Sequence, residues 1–141
     1  MSVDWCAVVL AAGEGTRLRP LTLLRPKPLC PVGNVPSLEW ALAAVAELGR
    51  RGPAEVAVNV SWLGEQVAAY VDGRAHVSWE RDGPLGTAGA LGRLRGWVAG
   101  RGVLAVNADA YLSGGSLAAL TAGWDGETVR LLGVPGDPRD P

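Results

Sequence analysis

Lys27 stands between Pro26 and Pro28 and is the only lysine among 13 basic residues; the rest are arginine. A compact ammonium on a flexible stem differs from a planar guanidinium, because it is a point charge that can follow a phosphate group as that group shifts. Upstream of it an apolar run opens into Leu10-Ala11-Ala12-Gly13-Glu14-Gly15-Thr16-Arg17-Leu18, a loop of small residues. Gly13 and Gly15 are expected to take backbone angles closed to residues with side chains and to bring main-chain N–H groups within reach of an anion. Arg17 and Lys27 would add charge-assisted hydrogen bonds of about 1.5–3 kcal/mol each where water is excluded. Asp109 stands at the end of another expected strand, Gly102 to Asn107, and offers a carboxylate able to hold Mg²⁺ against phosphates. Taken singly, the glycines also fit a plain strand-to-loop turn, and Asp109 a turn cap. Taken together, these residues point to nucleotide chemistry.

Two familiar phosphate loops do not fit. A dinucleotide fingerprint needs a third glycine where Leu18 stands and a helix starting at once, whereas Pro20 and Pro26 interrupt this region. A Walker A loop needs Gly-Lys-Ser/Thr, and that tripeptide does not occur. Hydride transfer and P-loop hydrolysis are both disfavoured. His76, the only histidine, falls in an expected strand and reads as structural, and no nucleophile elbow provides for covalent catalysis.

These residues must be held by a scaffold, and the chain is long enough to build one. Its 141 residues, 48% hydrophobic, suit a single domain with a buried core. A formal net charge of −1 provides no basic field for nucleic acid. The opening Met1-Ser2-Val3-Asp4-Trp5 lacks a basic leader, and no apolar run is long enough to span a membrane, so a cytoplasmic protein is expected. Cys6 and Cys30, without a CxxC pair, read as free, buried thiols. The six tryptophans read as core or interface aromatics, which leaves a homo-oligomer open; Trp62, after a strand end, is a weaker candidate for stacking on a ligand.

Trp5 to Leu10 reads as a strand buried on both faces. Apolar residues at helical spacing from Ser37 predict about three turns of helix, stopped at Gly49. Glu55 to Val60 reads as a strand, Leu63 to Val71 as a helix and His76 to Trp79 as a short strand. Thr87 is placed to cap a helix over 88–94. Gly102 to Asn107 reads as a strand, followed by a helix near 116–122 and a last strand near 128–134. Strands separated by helices imply a largely parallel sheet, with ligands outside the carboxyl ends of its strands. Asn59, Glu80, Asn107 and Asp109 all fall at such ends, beside the loop at Gly13.

The stretch from Leu10 to Leu18 with Arg19-Pro20-Leu21-Thr22, followed by Pro26-Lys27-Pro28-Leu29 and Pro31-Val32, resembles the N-terminal signature of the sugar-1-phosphate nucleotidyltransferases, or sugar-nucleotide pyrophosphorylases. Asn59 to Gln66 is similar to the matching segment of N-acetylmuramate-1-phosphate uridylyltransferases, and Pro84-Leu85-Gly86-Thr87-Ala88-Gly89 resembles the base-side loop of mannose-1-phosphate guanylyltransferases. The likeness covers most of residues 5–134. It implies a three-layer αβα, Rossmann-like fold with a mostly parallel sheet, 1–141 forming its N-terminal, nucleotide-binding part.

The implied reaction is attack of a sugar-1-phosphate oxygen on the α-phosphorus of a nucleoside triphosphate (UTP, GTP or dTTP), releasing pyrophosphate, with Mg²⁺ as cofactor. By position, Leu10, Ala11, Ala12, Gly13, Glu14, Gly15, Thr16 and Arg17 would hold the nucleotide. Arg17, Lys27 and Asp109 would carry catalysis, Asp109 binding the metal. Glu80, Pro84, Leu85, Gly86, Thr87 and Asn107 would face the nucleoside, and Lys27 and Asn59 the second substrate. Two departures stand out. Ala108 occupies the usual glycine before the metal-binding aspartate, and the family's domains continue well past this length, which leaves much of the acceptor site unaccounted for. A non-catalytic nucleotide-binding or regulatory module is therefore the alternative expectation.

Overall fold

The computed structural model describes residues 3–112, 116–133 and 136. Four parallel strands form its sheet: β1 (Trp5–Leu10), β4 (Val56–Val60), β5 (His76–Trp79) and β6 (Gly102–Asn107), in the order β5-β4-β1-β6. The chain winds outward from β1 to β4 and β5, then returns to β6 on the other flank of β1. Such a reversal of strand order is where open α/β sheets leave a crevice beyond their carboxyl ends.

The continuous apolar runs foretold burial on both faces, and Cys6 to Val9 and Val56 to Val60 are all buried. One face packs Ala7, Val9, Val58 and Val60 against α1 (Ser37–Glu47), α2 (Gly64–Tyr70) and α5 (Ser116–Thr121). The other packs Val8 and Ala57 against α3 (Gly86–Arg93) and α4 (Arg95–Val98), through Leu91, Leu94 and Trp97. These are the three expected layers. Leu38, Ala41, Leu42 and Val45 form the buried stripe of α1; full burial of Leu38 or Val45 stabilises by roughly 1.5–3 kcal/mol each. Arg74 grips Glu39 of α1 with both guanidinium nitrogens at 2.9 and 2.7 Å, and Tyr70 donates to the same carboxylate at 2.7 Å. The Arg74 hydrogen bonds hold the Glu39 carboxyl below its ordinary range.

Several local expectations are corrected. A hairpin, β2 (Pro31–Val32) with β3 (Val35–Pro36), lies before α1; its two-residue turn has positive φ at Gly33 and Asn34, 61° and 64°, as a type I′ turn requires. Helix α3 starts at Gly86 rather than after Thr87, with Leu85 at the cap and no side-chain cap bond. Residues 128–133 form no strand; Val134 lies outside the described residues. Arg130 instead donates to the carbonyls of Ala122 (2.7 Å) and Gly123 (2.8 Å), and Trp124 Nε1 to that of Thr128 (2.6 Å). These bonds fold the segment back on the end of α5. Cys30 is only half-buried, although both thiols are free. His76 stacks on Trp97 with ring centroids 5.7 Å apart, a packing role.

Candidate active site

Register aligns the strand ends. Leu10 of β1 lies opposite both Asn59 of β4 and Asn107 of β6, and Ser78 of β5 opposite Asn59. Glu80 and Asp109 therefore each emerge two residues beyond one common line, and a cleft of about 360 Å³ opens above it. Its lining holds every expected site residue except Glu14 and Leu85, and adds Leu18, Pro28 and Ala108. Glu14 pairs with Arg19 at 3.6 Å.

From Ala12 to Arg17 the main-chain N–H groups have no hydrogen-bond partner among the described residues, a run of donors fit for an anion. The loop is pinned from behind. Thr22, fully buried, donates its hydroxyl to the Gly15 carbonyl at 2.7 Å, and Trp62 Nε1 donates to the Thr22 carbonyl at 2.7 Å. Trp62 thus braces the loop instead of offering a stacking face, with Arg19 over its ring at 5.8 Å. No spacing rule singles out Thr22, because its partners are seven and forty residues away.

The two glycines play different parts. Gly15 has φ +64°, and a Cβ there would lie 2.9 Å from Thr22 Cγ2 and 3.0 Å from Lys27 Cβ. Gly13 has no positive φ, and a Cβ there would meet nothing within 4 Å. The fold demands only Gly15; at Gly13 the missing side chain leaves cleft space open to a ligand.

Lys27 opens a 3-10 turn, Lys27–Leu29, that Ser37 braces by donating its hydroxyl to the Pro28 carbonyl at 3.1 Å. The Lys27 ammonium donates to the Asp109 carboxylate across the cleft mouth. Asp109 and Asn107 are exposed while Ala108 between them is buried. The Ala108 methyl therefore packs in the core, and its N–H donates to the Leu10 carbonyl at 3.0 Å, prolonging the β1–β6 ladder. In place of the family's glycine, Ala108 sets its methyl in the core cluster while still lining the cleft.

At the inner wall, Asn59 Oδ1 accepts the Ala11 N–H at 2.7 Å, and Asn59 Nδ2 donates to Glu80 Oε1 at 2.8 Å. Glu80 Oε2 accepts the Leu85 N–H at 2.8 Å. Both side chains are buried and line the cleft, yet the ends of the Asn59 amide and both Glu80 oxygens are engaged by protein.

Fold and site together define an α/β domain whose cleft opens beyond the carboxyl ends of a parallel sheet. The chain belongs to the MobA-like NTP transferase domain family, which matches residues 7–138. It is 39% identical to the N-acetylmuramate alpha-1-phosphate uridylyltransferase of Neisseria meningitidis over 73% of this chain and 46% of that protein. It is 36% identical to the mannose-1-phosphate guanylyltransferase of Mycobacterium tuberculosis over 94% of this chain and 38% of that protein. The chain spans less than half the length of these two curated relatives. In fold it is similar to the inositol-1-phosphate CTP transferase from T. maritima, with TM-score 0.67 and 20% identity over 89% of this chain and 51% of that one.

Proposed function

We propose that the protein is a Mg²⁺-dependent nucleotidyltransferase that joins a nucleoside triphosphate and a sugar-1-phosphate into a nucleotide sugar, releasing pyrophosphate. The observation that carries the reading is convergence: unpaired N–H groups from Ala12 to Arg17, the sole lysine and a strand-end carboxylate share one cleft. The uridylyl and guanylyl transfers named for the two relatives support the reaction class, with UTP, GTP or dTTP as the donor. Nucleoside triphosphates are supplied in the cytoplasm, so the reaction belongs there; among the described residues no helix is long and apolar enough to cross a membrane.

The amides and Arg17 would hold the polyphosphate, and Lys27 would neutralise charge on the phosphates as the α-phosphorus–oxygen bond to pyrophosphate breaks. Gly86 and Thr87 would face the nucleoside. No enzyme nucleophile is needed, so catalysis rests on positioning and electrostatic stabilisation. Asp109 fits Mg²⁺ as a hard, exposed oxygen ligand. Mg²⁺ is commonly held by one or two carboxylates together with substrate phosphates, so a single strand-end carboxylate beside the phosphate-facing amides is a fitting ligand set. When bound, the metal would supply Lewis-acid stabilisation of phosphate charge.

Pyrophosphate release from a panel of nucleoside triphosphates and sugar-1-phosphates tests the reading. Steady turnover with one pair supports it; binding of nucleotide without turnover by any pair favours the second reading, a nucleotide-binding module.

A further inference from the structure

We infer that Asn59 and Glu80 are positioning residues that set the span between the phosphate loop and the nucleoside side of the cleft, and so decide which nucleoside the site admits; this rests on the nucleotide reading above. Glu80 is 2% exposed, and no cation among the described residues lies within ion-pair distance of it. Burying a carboxylic side chain with hydrogen bonds but no ion-pair partner gains little stability over an apolar side chain of the same volume. What the carboxylate supplies is two acceptors, one for each wall.

The relay runs Ala11 N–H to Asn59, Asn59 to Glu80, and Glu80 to the Leu85 N–H, at 2.7, 2.8 and 2.8 Å. Each end grips backbone beside the cleft: Ala11 adjoins the unpaired amides from Ala12 onward, and Leu85 sits between the cleft-lining Pro84 and Gly86. The far wall has little else to fix it. Residues 84–88 are exposed, and α3 begins without a side-chain cap.

The relay also has a fixed polarity. Glu80 must accept at both oxygens, since both partners are donors. Glu80→Gln would turn an NH₂ toward one of them and break that link. Adding Asn59→Asp reverses the polarity: Asp oxygens accept from the Ala11 N–H and from the new amide, whose oxygen accepts the Leu85 N–H. All three bonds and the formal charge return.

The experiment is calorimetric binding of UTP, GTP, dTTP and inorganic tripolyphosphate, each with Mg²⁺, to the full chain, to Glu80→Gln and to the double exchange, with melting temperatures. Expected in Glu80→Gln is a loss of about tenfold for the preferred nucleotide, the size of one broken buried hydrogen bond, a flattened preference among bases, and an unchanged tripolyphosphate affinity. The double exchange restores affinity and preference. Equal losses for nucleotide and tripolyphosphate, an unaltered preference, or no recovery in the double exchange would overturn the inference. On the unsubstituted protein, nucleotide but not tripolyphosphate should slow hydrogen exchange at the Leu85 amide. Equal protection by both overturns the inference even where Glu80→Gln does not fold. A parent chain that binds no nucleotide more tightly than tripolyphosphate refutes the nucleotide reading itself, whereas a selective parent with equally selective variants refutes only the role of the pair.

Discussion

Lys27 and Asp109, 82 residues apart in sequence, form an ion pair across the mouth of the cleft. Each occupies the partner that the other would give up to a ligand. A polyphosphate would draw the ammonium toward its oxygens and leave the carboxylate for the cation it carries, so metal and nucleotide should enter together. Lys27→Ala should therefore raise Mn²⁺ affinity of the nucleotide-free protein, read by electron paramagnetic resonance. The same variant and Asp109→Ala should each lower pyrophosphate release on the order of a hundredfold. Unchanged Mn²⁺ binding in Lys27→Ala would show that the pair does not guard the carboxylate.

The glycines should separate stability from binding. Gly15→Ala forces a side chain into positive φ against Thr22 and Lys27, and should cost about 1–3 kcal/mol in urea denaturation. Gly13→Ala meets nothing within 4 Å, so stability should stay within about 0.5 kcal/mol. Its methyl nevertheless stands in cleft space, and nucleotide affinity should drop by about tenfold, the equivalent of one phosphate hydrogen bond.

Thr22→Val keeps the buried volume and removes the donor to the Gly15 carbonyl. Stability should fall by about 0.5–1.5 kcal/mol, the worth of one hydrogen bond, because the Gly15 carbonyl keeps the Leu18 N–H at 3.0 Å. Trp62→Phe leaves the Thr22 carbonyl without its indole donor and should cost about 0.5–1.5 kcal/mol. Equilibrium unfolding measures both, and fluorescence-independent circular dichroism avoids the lost tryptophan signal.

Asp125 accepts from the backbone N–H groups of Thr128 and Glu127 and from the Thr128 hydroxyl, which lowers its pKa from 3.8 to about 2. A depressed carboxyl stabilises the fold above its ordinary pKa and ceases to do so as pH falls through the folded value. Asp125→Asn should melt below the parent at neutral pH, with the gap closing between about pH 4 and pH 2. A gap that persists at pH 2 would mean that the charge of Asp125 is not its source.

Much of the architecture was readable from the sequence. Cys6 to Val9 and Val56 to Val58 read as strands covered on both faces, because short apolar runs rich in valine have no polar side to give to water. The break at Gly13 to Arg17 and the isolated Lys27 marked residues that line the cleft, for equally local reasons. Where the strand pattern misled, side-chain contacts had intervened: 128–133 has strand-forming residues, but Arg130 ties it to carbonyls seven and eight residues back, just past α5.

Residue types and spacing thus determined the layers, the parallel sheet and the candidate ligand loop, since each follows from periodicity and backbone freedom within a few neighbours. Tertiary structure alone decided that Lys27 meets Asp109, that Asn59 and Glu80 spend their polar atoms on Ala11 and Leu85, and that Gly15 rather than Gly13 is a steric necessity. Those outcomes depend on the register by which Leu10, Asn59 and Asn107 come level. Parallel strands acquire that register only after whole crossovers have packed, so no short window of sequence contains it.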